Sequence, residues 1–523
     1  MHMTPTHIAA LLLAFVAIAP TAHAQNASSP PPEASFTVSG YTVEGDNPLG
    51  EAETQAALAP FIGKHDGIER LQQAAIALEG LLRKSGYGFY RVVLPPQDIG
   101  GVIRLQMFRF AVGEVEVKGN QFFSNDNILR SLPQLNIGAS PNTNDLARDL
   151  ALANENPSKN ANVTFKQGKA SDTVDATVEV KDSRTVSGFV LLNNSGTAQT
   201  GNGRLTLGAS HANLFDKDHQ ATFTYTTSPT EPGRVRQWGG YYRAPLYPLG
   251  AMVSGYYTTS SVSSGVVANT INVTGRGDFA GIAVNYHLAP QGDYRSYLTL
   301  GLDDKHFLND KITTLGGTPL FPNYRTRPLS ISYTGRFRKQ WGQWGYNLEF
   351  AHNLSSGGGN DNVSYVANRA GASTDWNALR YGIDVALPIP AQWVFMGRLR
   401  GQHSGDALVP GEQFGIGGAL SVRGLPERVL SGDFGYWGNL EFWTPALAEN
   451  LRLLVFYDFG EIRRHNDAAM PSASVTTLGL GVRWSMGKQL TTSLDLGHVL
   501  SGRGKLPAGT SRDRAHLNIS YLF

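Results

Sequence analysis

Apolar and polar positions alternate along the last residues of the chain. Between Arg514 and the C-terminus, one face carries Ala515, Leu517, Ile519, Tyr521 and Phe523, and the other carries His516, Asn518 and Ser520. This period of two predicts a β-strand with one apolar and one polar face. About sixteen such runs, separated by turns rich in Gly, Ser and Asn, follow one another from residue 183 to residue 523. The pattern predicts an extensive antiparallel sheet over the C-terminal part of the chain.

The clearest runs place charged residues on the polar face. Arg483 lies between Val482 and Trp484, and the acids Asp303 and Asp495 are likewise out of phase with the leucines beside them. An apolar outer face around a polar lumen is typical of a membrane β-barrel, whereas the alternative is a soluble β-sandwich with one solvated face. A chain that ends on Phe in such a strand resembles the bacterial outer-membrane barrels, whose last strand carries the assembly signal. We predict a transmembrane β-barrel of about 16 strands over residues 183–523.

Two smaller units precede the predicted barrel, and both have the order strand, helix, helix, strand, strand. The first, residues 36–110, is predicted to contain a strand at Phe36–Val43, helices at Glu51–Leu58 and Ile68–Lys84, and strands at Tyr90–Leu94 and Val102–Phe108. The second, residues 111–182, is predicted to contain a strand at Gly113–Val117, helices at Ser124–Leu132 and Asn144–Asn154, and strands at Asn162–Phe165 and Val174–Val180. Ser124 and Asn142 are expected as helix N-caps.

This internal repeat predicts two α+β modules in series. They resemble POTRA domains, the periplasmic modules that bind unfolded client chains. The resemblance implies that a client binds as an added strand or along the exposed groove between strand and helix, and a three-stranded sheet is expected to offer a free edge for such a strand.

The first residues have the pattern of a secretory signal peptide. The apolar stretch Ile8–Pro20 is followed by Ala22, His23 and Ala24, which form an A-x-A site for cleavage after Ala24. Residues 1–24 are therefore predicted to be a signal peptide. Residues 25–35, with their consecutive prolines, are predicted to be a short tether.

Composition and charge exclude several classes of function. The chain has no cysteine, which excludes disulfides and thiolate chemistry. A formal net charge of +2 without a basic block gives no indication of nucleic-acid binding. The 13 histidines show no metal-binding spacing, and the chain contains no Gly-x-Ser-x-Gly motif. We expect a protein that is not an enzyme and has no cofactor and no metal site.

Two short motifs carry the candidate chemistry. The first lies in the long connection Ser404–Asp433 and consists of Val422, Arg423 and Gly424. The second lies on the predicted strand Leu451–Ile462 and consists of Phe456, Asp458 and Gly460. By alternation Asp458 faces the lumen, and the guanidinium fork of Arg423 is able to bond both carboxylate oxygens.

We predict that this ion pair holds the connection, residues 405–433 or thereabouts, inside the barrel. Glu441 faces inward by the same alternation and is a second candidate partner of Arg423. Support for the loop tip is expected from Gly417, Gly418, Ser421 and Leu425.

These motifs resemble those of the TpsB transporters of two-partner secretion, of the FhaC/ShlB/HecB haemolysin-secretion type. That family has a V-R-G-[FY] motif at the tip of a loop folded into the pore, and an F-x-D-x-G motif on the strand against which the loop docks. Here Leu425 replaces the aromatic residue of the first motif. The stretch Asn154–Pro157 is similar to the N-x-N-P stretch of the family. The resemblance covers the whole mature chain.

The resemblance implies a translocation pore in the cell outer membrane. Periplasmic POTRA domains would recognise an unfolded TpsA-type exoprotein, a haemolysin or an adhesin, and the barrel would secrete it to the cell surface without ATP. The implied partners are this client, outer-membrane lipid, periplasmic chaperones and the barrel assembly machinery, and the transporter is expected to be a monomer.

Many members of that family begin with a helix that plugs the pore. The segment Gln25–Ala34 is too short to span a barrel, so we expect the folded-in loop alone to close the resting pore. Two alternatives are an outer-membrane assembly insertase of the same superfamily and a passive porin. Two modules favour secretion over the insertase, and a porin needs no periplasmic arm.

Overall fold

The computed structural model describes residues 35–198, 200–262, 265–267, 271–273, 275–309 and 320–523. The predicted signal peptide and residues 25–34 of the tether lie outside the described residues. The chain forms two compact units. One consists of the described residues of Met1–Leu78 together with Val92–Met107, and the other of Glu79–Arg91 together with Phe108–Phe523.

The first module is an α+β unit with a four-stranded sheet. Its elements are β1 (Ser35–Glu44), α1 (Glu51–Leu58), β2 (Gly63–Asp66), α2 (Glu69–Lys84), β3 (Tyr90–Val93) and β4 (Gly101–Arg109). The sheet order is β2-β1-β4-β3, with β1 antiparallel to β2 and parallel to β4. The prediction of three strands is therefore wrong. β2 has the sequence Gly-Lys-His-Asp and buries only His65, so it lacks the apolar alternation that reveals a strand.

The second module repeats this order without the extra strand. Its elements are β5 (Ala111–Lys118), α3 (Asn125–Arg130), α4 (Thr143–Ala153), β6 (Lys159–Gln167) and β7 (Thr173–Asp182), with sheet order β5-β7-β6. Both predicted N-caps are confirmed. The Ser124 hydroxyl accepts from the Asn127 N–H, and the Asn142 side chain accepts from two N–H groups of the first turn of α4.

One acid of the second module is fully buried. Asp149 lies on the inner face of α4. Burial raises the pKa of Asp149 to about 6, and the neighbouring Arg148 opposes this shift only in part. The module therefore holds a carboxyl group that titrates near neutral pH.

The rest of the chain forms a closed β-barrel. Its strands, with those of its connections, are β8 (Val186–Asn193), β9 (Arg204–Leu214), β10 (His219–Thr227), β11 (Arg236–Leu246), β12 (Ala251–Ser260), β13 (Gly265–Val267), β14 (Ile271–Val273), β15 (Gly277–His287), β16 (Tyr294–Phe307), β17 (Tyr324–Thr326), β18 (Pro328–Lys339), β19 (Gly342–Asn353), β20 (Asn377–Ile389), β21 (Trp393–His403), β22 (Phe414–Ile416), β23 (Leu430–Gly432), β24 (Phe434–Trp443), β25 (Leu451–Arg463), β26 (Ser472–Met486), β27 (Leu490–Ser501) and β28 (Asp513–Leu522). The helix α5 (Asn362–Asn368) lies in the connection between β19 and β20.

The barrel closes where the last strand pairs with the first. β28 is antiparallel to β8, with Asn518 opposite Asn193 and Leu522 opposite Phe189. The short strand β17 and the longer strand β18 both pair with β16 and together form one interrupted strand, so the described part of the chain closes a barrel of 16 strands. The hairpins β13–β14 and β22–β23 form separate two-stranded sheets and are not part of the barrel sheet.

The alternation predicted from the sequence is confirmed. Leu300, Leu480 and Leu496 on the apolar face are between 55% and 65% exposed on the barrel exterior, whereas Asp495 and His516 on the other face are buried inside. The second module leads directly into β8, so the short turns between β9 and β10 or between β18 and β19 lie at the module end of the barrel. None of the helices among the described residues is long and apolar enough to cross a bilayer.

Candidate functional site

The connection between β21 and β24 carries the candidate site. It contains the hairpin β22–β23, and its tip turns at Gly417 and Gly418, whose φ angles of 111° and 108° favour glycine. A Cβ atom on Gly417 would lie 2.4 Å from the carbonyl oxygen of Pro426. The Ser421 hydroxyl accepts a hydrogen bond from the Gly417 N–H at 2.9 Å. These contacts give the tip a fixed shape.

Apolar side chains attach the tip to the inner wall of the barrel. Val422 and Leu425 are fully buried, in one cluster with Ile462 on β25, Val475 on β26 and Val499 on β27. Leu425 stands where the family motif has an aromatic residue, and its aliphatic side chain is buried in this core.

Arg423 forms the polar centre of the contact. Its Nε donates to Oδ2 of Asp458 at 2.8 Å and its Nη2 to Oδ1 at 2.7 Å, so the two side chains meet as two parallel forks. The backbone N–H of Arg423 donates to Oδ2 of the same carboxylate at 3.0 Å. The guanidinium carbon lies 3.6 Å from the ring centroid of Phe456. Arg423 is 2% exposed and Asp458 is fully buried, so the pair is shielded from water.

Two further acids surround the same guanidinium. Nη1 of Arg423 lies 2.7 Å from Glu441 and 3.6 Å from Asp495. Asp495 is also held by both Nη atoms of Arg483, at 2.8 and 2.9 Å. The tip cation therefore meets acids from β24, β25 and β27, and Glu441, the second predicted partner, is among them.

Glycines allow the tip to approach the wall closely. Gly424 has a φ angle of 87°, and its N–H donates to Nε2 of His516 on β28 at 3.0 Å. A Cβ atom on Gly497 of β27 would lie 2.6 Å from the nitrogen of Gly424, and one on Gly460 of β25 would lie 3.0 Å from the side chain of Ile416. The glycines of both motifs thus stand at the points of closest contact.

Comparison with known proteins agrees with this geometry. Residues 173–484 match the model of the haemolysin secretion/activation protein family ShlB/FhaC/HecB. The chain belongs to the ShlB/FhaC/HecB family. Residues 36–109 match the ShlB-type POTRA domain, which coincides with the first module. As a family member, the chain is a secretion transporter whose barrel lies in the outer membrane and whose POTRA modules lie in the periplasm.

Relatives and solved structures cover most of the chain. The outer membrane transporter CdiB of Dickeya dadantii is 22% identical over 87% of this chain and 82% of its own length. The heme/hemopexin transporter protein HuxB of Haemophilus influenzae is 20% identical over 77% of this chain and 71% of its own length. The structure of CdiB from Escherichia coli, 19% identical, has a TM-score of 0.74 and covers 97% of this chain, with 93% of its own chain matched.

Several contacts of this family member's loop were not predicted from the sequence. Asn439 on β24 donates to the carbonyl oxygen of Ser421 at 2.6 Å, and His516 and Asp495 lie on strands far from the motifs along the chain. Alternation marks all three residues as lumen-facing. It does not indicate which lumen residues the loop meets, because that depends on the closed barrel.

A second polar anchor holds the base of the loop. Glu412 is 3% exposed and accepts from Lys305 at 3.1 Å, from Arg380 at 3.0 Å and from Thr326 at 2.7 Å. These partners lie on β16, β20 and β17, whereas Arg423 meets β24, β25 and β27. The loop therefore crosses the lumen from one wall to the other.

The end of the loop is fixed by a third buried acid. Asp433 is fully buried and accepts from the backbone N–H groups of Leu408 and His465, both at 2.8 Å, and from Nη2 of Arg369 at 2.6 Å. Arg369 follows α5, so this acid joins three connections at the barrel end away from the second module.

The N-x-N-P stretch lies where the second module meets the barrel. Asn156 donates to the carbonyl oxygen of Ala212 at 2.7 Å and to Oδ1 of Asp218 at 2.9 Å. The ammonium group of Lys159 lies 2.7 Å from Oδ2 of Asp218, and Tyr247 donates to the same oxygen at 2.7 Å. Burial lowers the pKa of Lys159, and Asp218 opposes that shift. This buried pair fixes the module to the turn between β9 and β10.

Proposed function

We propose that this transporter is a gated secretion pore whose resting state is closed by the loop between β21 and β24. The observation that carries the proposal is the buried network of Arg423, Asp458 and Glu441, which fastens the loop tip to the lumen wall. A passing polypeptide needs the space that this loop occupies. Secretion therefore requires the network to open.

The first module is proposed as the receptor for the unfolded client. Its sheet ends at β2 on one side and β3 on the other, and an edge strand offers unpaired N–H and C=O groups to an extended chain. Apolar side chains are exposed on the same module, among them Ile76 at 70% and Val102 at 56%. An unfolded exoprotein presents both partners that these surfaces need, a free backbone and apolar side chains.

Transport is proposed to proceed without ATP. The periplasm and the outer membrane supply no nucleotide, so folding of the exoprotein outside the cell provides the free energy. Periplasmic chaperones keep the client unfolded, and the barrel assembly machinery inserts the transporter through its C-terminal strand. A single chain is sufficient for the pore, because pairing of β28 with β8 leaves no open sheet edge in the barrel. We propose that the transporter acts as a monomer.

Deletion of the first module tests the receptor assignment. We expect removal of Phe36–Phe108 to stop export of the exoprotein, because the client loses its docking surface. The measurement is the amount of client in the medium of cells that carry the full or the shortened chain. Heat-modifiable migration of the barrel on gels is the control for correct insertion. Export at the level of the full chain would contradict the assignment.

A further inference from the structure

Arginines line one wall of the lumen at the module end. Arg295 on β16, Arg336 and Arg338 on β18, and Arg398 on β21 face a cavity of about 670 Å³. The cavity extends from Asn154 and Glu155 of the second module to Asn439 and Glu441 beside the loop network. A chain that passes from the second module towards the loop therefore meets this wall first.

Three of these arginines have no acidic partner among the described residues. Arg398 lies 3.3 Å from Asp384, and Arg400 on the same strand lies 2.6 Å from the same carboxylate. Arg295, Arg336 and Arg338 form no ion pair within the described ranges, and the aromatic ring of Tyr297 lies 5.7 Å below the Arg336 guanidinium. Their charges are free to receive a ligand.

The strand register places two of the three directly opposite each other. Arg295 pairs with Arg336 across β16 and β18, and both side chains face the lumen. Like charges in this position destabilise a sheet. A wall of this kind is more stable when an anion lies between its charges.

The acids of the cavity do not neutralise the wall. Glu441 is held by Arg423, and Glu155 lies 3.7 Å from Arg243 on β11. Asp384 is shared by Arg398 and Arg400. Of the acidic residues that line the cavity, this leaves Asp293, in the turn before β16, against three cations.

We propose that this arginine wall, Arg295, Arg336 and Arg338, binds acidic stretches of the extended polypeptide as it enters the pore. This inference rests on the proposed function, because the proposed function brings an extended polypeptide past the arginine wall. Carboxylates suit the site since each guanidinium fork bonds both oxygens of one carboxylate. A cleft with charges of one sign and low-dielectric walls also concentrates the opposite charge. The wall thereby gives the entrance a preference for acidic client segments.

Peptide binding to the full-length transporter in detergent micelles tests the inference. The probe is a fluorescein-labelled oligoglutamate peptide, and its binding is followed by fluorescence anisotropy at low salt. We expect the triple variant Arg295→Gln, Arg336→Gln, Arg338→Gln to bind it about tenfold more weakly, since exposed charge pairs are weak one by one and add up. The matched control changes the same three residues to Lys, which keeps the charges but loses the bidentate fork, so its affinity should lie between that of the unchanged chain and that of the Gln variant.

Each outcome decides the inference separately from the proposed function. Equal binding of oligoglutamate and oligolysine to the unchanged chain would overturn it, as would unchanged binding by the Gln variant. Displacement by inorganic phosphate at the same concentration as by free oligoglutamate would show a general anion site and overturn the assignment to polypeptide. Export of the exoprotein is measured in parallel. If the unchanged chain does not export the exoprotein, the proposed function is refuted. If it exports the exoprotein but does not bind oligoglutamate, only the proposed role of the arginine wall is refuted.

Discussion

At the scale of single residues, the account depends on Arg423 and its acidic partners. Removing one partner of a buried pair leaves the other charge uncompensated, which costs about 3 to 5 kcal/mol. We expect Arg423→Ala and Asp458→Ala each to loosen the loop, to raise conductance in planar bilayers and to impair secretion. The double variant should be less harmful than the sum of the two, because both changes remove one interaction.

A surface ion pair on β25, the strand that carries Asp458, supplies the control for this double-mutant cycle. Arg463 lies 2.8 Å from Glu461, and its side chain is largely exposed. Arg463→Ala should leave both stability and conductance close to those of the unchanged chain. Additive effects of the Arg423 and Asp458 changes, together with unchanged conductance, would show that the pair does not hold the loop.

Asp149 makes the stability of the second module depend on pH. Its pKa in the folded chain, about 6, lies above the ordinary value of an aspartate, so the folded module binds a proton more readily than the unfolded one. Stability is therefore full below about pH 4, the ordinary pKa of an aspartate, and is lost as the pH rises from there through 6. Asp149→Asn should remove this loss and stabilise the module at pH 7 by roughly 1 to 3 kcal/mol.

Hydrogen exchange of the α4 amides in the full-length protein measures this effect. After correction for the intrinsic exchange rate, protection should fall between about pH 4 and 6 in the unchanged chain and level off above that, and it should stay level throughout in Asp149→Asn. Glu114→Gln, a change of an exposed acid on β5, is the control and should leave the pH dependence intact. A fall of equal size in Asp149→Asn would refute the role of this carboxyl.

Residue positions on strands were predictable, but their partners only in part. Alternation alone places Asp458, Glu441 and Phe456 in the lumen, and the preference of arginine for carboxylates identifies the pair. Asp495 and His516 obey the same alternation. Their contact with the loop was not predictable, because it arises only when β27 and β28 are brought round to close the barrel.

At the scale of elements, strands with an apolar face were predictable and strands without one were not. The helices α3 and α4 follow their caps, and the long barrel strands follow their alternation. β2 was not predicted because it is short and polar and is stabilised by pairing with β1. The interruption between β17 and β18 falls at Arg327, directly before Pro328, which has no N–H for the ladder.

Glu412 makes the base of the loop a second point of attachment. Glu412→Gln removes the negative charge between Lys305 and Arg380, and we expect the loop to loosen by an amount on the order of 3 kcal/mol. Single-channel recording should show larger or more frequent openings than in the unchanged chain.

Glu349→Gln is the matched control for this anchor. Glu349 also accepts from Arg380, at 2.9 Å, but it belongs to β19 of the wall and not to the loop. Glu349→Gln should leave the size and frequency of the channel openings unchanged. Equal effects of the two changes would assign Glu412 to wall stability and not to loop closure.

At the scale of the whole molecule, the architecture was predictable as a class. Two α+β modules and a barrel of 16 strands follow from a repeated element order and from sustained alternation. The contact between the second module and the barrel was not predictable from the sequence. Lys159 and Asp218 are both charged, and charged residues are normally exposed. Only the folded chain brings the two charges together.

The exoprotein can pass through the barrel only when the loop leaves its place in the lumen. The chain has no cysteine, so a pair of introduced thiols is the only pair present. Ser421 and Asn439 are suitable positions because the Asn439 amide reaches the carbonyl oxygen of Ser421 at 2.6 Å. A disulfide or a short thiol cross-link in the variant Ser421→Cys, Asn439→Cys ties the loop tip to β24.

The decisive measurement is export of the exoprotein by this variant before and after reduction, with each single-cysteine chain as control. We expect the oxidised double variant to export almost nothing, and reduction to restore export to the level of the single variants. Undiminished export through a fully cross-linked pore would contradict the account.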